Sequence, residues 1–176
     1  MRKNISIFIF LVIISFTVQA QKTTKIWIVR HAEKETIDPK NSDPALTLEG
    51  EKRAEYLAKY LKNERIDYIF STNYIRSKQT ALPTAKENKI EISIYDTKDH
   101  SKLIQEIKSL AQGKNILIVG HSNTVLVLLE MLGALPPVPT LKDDDYDFIF
   151  KLSIKGEKIR LKSGHFGDKH HSTEIK

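Results

Sequence analysis

Two short runs, Ile26-Trp-Ile-Val29 and Ile116-Leu-Ile-Val119, are apolar at every position, and they constrain the fold more than any other feature of the chain. A strand with one face in water alternates apolar and polar residues. A strand that is apolar throughout needs cover on both faces. Two such strands separated by segments of helical periodicity imply a parallel sheet with helices packed on each side of it.

The segments between and after these strands fit that plan. Thr47 is an N-cap candidate for a helix with Glu49 and Glu51 in its first turn and Ala54, Leu57, Ala58 and Leu61 at helical spacing. Tyr68–Ser71 reads as a second strand, and 74–85 as a helix that Pro83 interrupts. Glu91–Tyr95 alternates as a third strand. Ser101–Gln112 places Leu103, Ile104, Ile107, Leu110 and Ala111 on one helical face and stops at Gly113. Thr124–Leu132 is an apolar helix closed by Gly133. Phe148–Ile154 and Lys158–Lys162 form a hairpin turning at Lys155-Gly156. The expected fold is a three-layer α/β/α sandwich, with a mostly parallel sheet and an antiparallel strand or hairpin at one edge. The folded domain is expected over residues 21–162, and 163–176 as a polar, disordered tail. His165, His170 and His171 in that tail are read as solvated, with no metal site.

The first twenty residues are not expected to belong to the fold. A basic lead, Arg2-Lys3, precedes an almost wholly apolar stretch, Ile5–Val18, and Val18-Gln19-Ala20 presents modest residues where a signal peptidase reads. The stretch is short for a spanning helix, which takes about 20 residues. The expectation is an exported protein, periplasmic or secreted, that begins at Gln21 and is not stably inserted in a membrane. The chain has no cysteine, so neither disulfides nor thiol chemistry enter. Its formal net charge is +6, two of which come from Arg2 and Lys3. Basic residues are not interleaved with aromatics in runs, which argues against a nucleic-acid surface.

The chemistry lies at the strand ends. Arg30-His31 follows the first apolar strand and His121-Ser122 the other. In open parallel sheets the carboxyl ends share one side, so two imidazoles ninety residues apart are brought to one crevice. Ser71-Thr72 ends a strand as well, and Arg76 falls near the first turn of the helix beyond it. A cation at a helix N-terminus is unfavourable alone and favourable with an anion between. Two arginines, two histidines and two helix N-termini at strand ends describe a phosphate site.

In order, Arg30-His31, Ser71-Thr72 with Arg76-Ser-Lys-Gln-Thr-Ala81, and Gly120-His121-Ser-Asn-Thr124 resemble the three signature segments of the histidine phosphatase superfamily, the phosphoglycerate-mutase-like fold. The resemblance spans about Lys25 to Leu152 and points to the compact branch. Ala32 departs from it, standing where the family most often has glycine. The resemblance implies His31 as a nucleophile that becomes phosphohistidine, with Arg30, Arg76, His121 and Ser122 on the phosphoryl oxygens and neither metal nor cofactor. The family's acid lies between the second and third segments, where Asp99 is preferred and Asp96 is its rival. Glu33, two residues past the nucleophile, is a third choice. The implied function is a metal-independent phosphomonoesterase acting on a small phosphorylated substrate such as a sugar phosphate. The alternative is a phospho-ligand binding module on the same fold.

Overall fold

A computed structural model describes residues 22–110 and 112–175; residues 1–21, on which the expected signal peptide falls, Ala111 and Lys176 lie outside the described residues. The elements in chain order are β1 (Thr24–Arg30), α1 (Leu48–Leu61), β2 (Tyr68–Thr72), α2 (Ile75–Asn88) and β3 (Ile92–Tyr95). They are followed by α3 (His100–Ser109), β4 (Asn115–Gly120), α4 (Ser122–Met131), β5 (Phe148–Lys155) and β6 (Lys158–His165). The sheet order is β3-β2-β4-β1-β5-β6. The first four strands are mutually parallel, and the β5–β6 hairpin adds antiparallel to β1.

The two apolar runs are the centre of this sheet and pair with each other, Ile26 with Ile116 through Val29 with Val119. Their side chains part by the two-residue period of a strand. Ile26, Ile28, Ile116 and Ile118 pack with Leu103, Ile107, Val125 and Leu129 of α3 and α4. Trp27, Val29, Leu117 and Val119 pack with Leu57, Leu61, Ala81 and Ala85 of α1 and α2 on the other face. This is the three-layer sandwich that the apolar runs imply.

Local signals account for the element ends. Thr47 caps α1, its hydroxyl accepting from the Gly50 N–H at 3.1 Å. Gly50 sits where a Cβ would run into the backbone carbonyl of Glu33, so α1 approaches the chain after β1 as closely as only glycine permits. Two expectations are corrected. Pro83 does not interrupt α2, which runs through it to Asn88; Ala81, Thr84 and Ala85 around it are buried, and that packing outweighs the lost backbone bond. Nor is the expected tail, 163–176, disordered over its described residues, 163–175. β6 continues to His165, Phe166 is buried, and the chain from there to Thr173 folds back over the loop before β5.

The reason lies in the acidic stretch before β5, Asp143-Asp144-Asp145-Tyr146-Asp147. Asp145 and Asp147 are 0% and 1% exposed, and a buried carboxylate requires donors. Asp145 receives the Lys142, Ser172 and Thr173 backbone N–H groups and the Thr173 hydroxyl. Burial alone would raise its carboxyl, and these bonds together hold it below the usual range. Asp147 receives the His170 N–H. The tail is the partner set of that stretch.

Candidate functional site

Strand register brings the two histidines together. Arg30 pairs with Gly120, and the His31 N–H donates to the Gly120 carbonyl at 2.9 Å, so each histidine is the next residue beyond a paired position. Their ring centroids are 5.2 Å apart. Ala32 N–H donates to the Thr80 hydroxyl at 2.9 Å, and that hydroxyl donates to the Arg76 carbonyl at 2.8 Å. The turn after β1 is thereby tied to the first turn of α2, where Arg76 stands. Arg30, His31, Arg76, His121 and Ser122 all line one cavity of about 430 Å³, joined by Lys34, Tyr74, Thr97, His100 and Asp143.

His31 is 3% exposed, and its Nδ1 is 2.8 Å from the Ala32 carbonyl. An acceptor there requires the proton on Nδ1 and leaves Nε2 with the lone pair. Burial pushes the ring down to about 3, the Ala32 carbonyl partly opposing it, with Arg30, His121 and Arg76 adding to the fall. His121 is lowered to about 4, again by burial first and then by Arg76 and Arg30. Its Nε2 lies 3.0 Å from the Thr72 hydroxyl, which in turn bonds to Ser77, so β2 and α2 fix the angle of that ring. Both imidazoles are neutral at neutral pH.

Each arginine is held by an aromatic face. Tyr146 lies 4.1 Å from the Arg30 guanidinium, and Tyr74 lies 4.2 Å from that of Arg76. Arg30 Nη1 donates to the Lys142 and Asp143 carbonyls at 2.7 and 3.1 Å. Arg76 reaches Asp43 only at 3.5 Å. The Nε groups of both arginines and Nε2 of His100 are buried with no protein partner. The arrangement has unspent cationic donors around two neutral imidazoles, which suits a dianionic oxyanion.

The three carboxylates expected as acids stand elsewhere. Asp99 caps α3, accepting from the Lys102 N–H at 3.2 Å. It and Asp96 line an adjoining cavity of about 600 Å³, which shares Tyr74 and Thr97 with the histidine cavity. Glu33 is turned away into a buried pair with Arg53, whose Nε lies 2.7 Å from its Oε1. Arg53 continues to the Phe166 and Asp168 carbonyls. Among the described residues, the carboxylate that shares the histidine cavity is Asp143. Neither it nor Tyr146 was singled out by the sequence, since both come from the irregular polar stretch before β5. Tyr74 was within reach of the sequence, being the N-cap residue of α2, two positions before Arg76.

A family model described as histidine phosphatase superfamily (branch 1) matches residues 26–97. That match carries Arg30, His31 and Arg76 but stops before His121, which the strand register supplies. The fold is that of the histidine phosphatases. Among solved structures of that fold, a protein histidine phosphatase SixA complexed with tungstate aligns with a TM-score of 0.62 at 18% identity, over 80% of this chain and 96% of its own. A mycobacterial glucosyl-3-phosphoglycerate phosphatase aligns at 0.58 and 13%, over 82% and 98%. A phosphoglycerate mutase from Bacillus anthracis str. Sterne aligns at 0.56 and 14%, over 82% and 94%. At such identities the likeness is one of fold. No curated protein matches the sequence.

Proposed function

We propose that the protein is an exported phosphomonoesterase that works without metal, through a covalent phosphohistidine at His31. The observation that carries this reading is the ring of His31: neutral, fixed through Nδ1 on the Ala32 carbonyl, and set among two arginines with unpaired donors. Nε2 attacks phosphorus as the bond to the ester oxygen breaks, and the leaving oxygen departs with a proton. Water then cleaves the phosphorus–nitrogen bond and restores the free imidazole. Charge on the equatorial oxygens meets Arg30, Arg76, His121 and the N-terminus of α4 at Ser122. Asp143 takes the acid's part in this reading in place of Asp99, because it lines the same cavity as His31. The leaving group extends toward the adjoining cavity past Tyr74 and Thr97, which admits a small polar ester such as a sugar phosphate. The tungstate of the SixA structure supports the choice of ligand, a tetrahedral oxyanion like phosphate. Among the described residues no helix is long and apolar enough to cross a membrane. Export rests on the Arg2–Ala20 pattern and is tested by the N-terminus of the mature protein, expected at Gln21.

The deciding experiment is hydrolysis of an activated aryl phosphate with and without EDTA, together with acid-labile labelling of His31. Turnover that persists in EDTA and disappears in His31→Ala supports the reading. Equal background rates in both proteins, with phosphate still bound, identify a binding module instead.

A further inference from the structure

Three of the six histidines fall in the closing segment and take no part in the phosphate cavity, yet two of them converge on one carboxylate. Asp147 immediately precedes β5 and is fully enclosed. His165 Nδ1, at the end of β6, lies 3.1 Å from its Oδ1, and His171 Nδ1 lies 2.6 Å from its Oδ2. One donor atom from each of the three lies within 4.8 Å of the others. The two imidazoles stack at 4.2 Å, and the Phe148 ring stands 4.6 Å from His165 and 5.5 Å from His171 as an apolar wall.

We propose that Asp147, His165 and His171 form a binding site for a divalent transition metal, zinc foremost, with water as the fourth ligand. Two imidazole nitrogens and one carboxylate oxygen are a donor set of the borderline softness that zinc takes, and three protein ligands leave one position open. His165 is 39% exposed and supplies the approach from solvent. The carboxylate is already aimed: the His170 N–H donates to its Oδ2 at 3.0 Å, an outer hydrogen bond of the kind that orients metal-binding carboxylates. Each ring would present its Nδ1 lone pair to the metal and carry its proton on Nε2. A second grouping, Glu33 with Glu49 and His170, is weaker because Glu33 is already engaged by Arg53. The metal would staple the end of β6 and the closing segment to the start of β5. That same segment steadies the loop whose Lys142 and Asp143 carbonyls hold Arg30.

Zinc titrated into the purified protein against a chromophoric chelator tests this. One equivalent is expected to bind and to raise the melting temperature, and cobalt in its place is expected to give the visible absorption of a four-coordinate site. His165→Ala and His171→Ala weaken binding about tenfold or more, while His31→Ala, His121→Ala and Glu49→Gln retain it. His165→Ala separates lost binding from lost folding, since its side chain lies at the sheet edge. Failure to bind zinc overturns the proposal. So does binding that survives both tail substitutions or that depends on His31 or His121.

Discussion

Burial discharges the ring of His31, and the sign of the resulting pH dependence is fixed. Its folded value of about 3 lies below the ordinary 6.5, so the folded protein binds fewer protons than the unfolded chain. The stabilisation is complete above 6.5 and is lost as pH falls toward 3, at about 1.4 kcal/mol per pH unit in between. Urea midpoints of the native protein are therefore expected to fall more steeply between pH 7 and 4.5 than those of His31→Gln. For turnover, His31→Ala is expected to cost on the order of 10³-fold or more on an aryl phosphate. Asp143→Asn should slow esters with poor leaving groups and spare activated ones, and a matched set of the two substrates reads the difference. Arg30, His31, Arg76 and His121 were legible in the sequence because each closes a strand or opens the helix after it, and topology alone collects such residues. Asp143 and Tyr146 were not. They reach the site from a turn whose polarity resembles that of any solvated loop, and only the tail packed over it explains their placement.

Among the elements, the join between β1 and α1 is the most demanding. Glu33 and Arg53 form an ion pair with side chains 7% and 2% exposed, so removing one partner strands the other charge in the interior. Glu33→Gln is expected to lower stability by about 3 kcal/mol, measured by urea unfolding, while activity per folded molecule falls equally for good and poor leaving groups. A leaving-group-dependent loss would instead return Glu33 to the role of acid. The helices and central strands were readable because period and capping agree with tertiary packing at Thr47, Leu57 and Ile107. Pro83 was misleading for the converse reason: a local rule yields where buried neighbours on both sides hold the helix together.

For the molecule as a whole, the closing segment belongs to the working structure. Deleting residues 167–176 removes the His170, His171, Ser172 and Thr173 partners of Asp145 and Asp147 and leaves only Lys142 and His165, and a melting curve is expected to show destabilisation together with loss of turnover as the Arg30 anchor loosens. A truncated protein of unchanged stability would contradict the role given to the tail. The strand order has a consequence of another kind. β1 and β2 meet only through β4, which enters between them and is made almost fifty residues after β2 begins. Until β4 is inserted, the first two strands have no common neighbour in the sheet, and His31 and Arg76 follow strands that are not joined. The sheet and the histidine cavity therefore close together, when residues 115–121 take their place between the two strands.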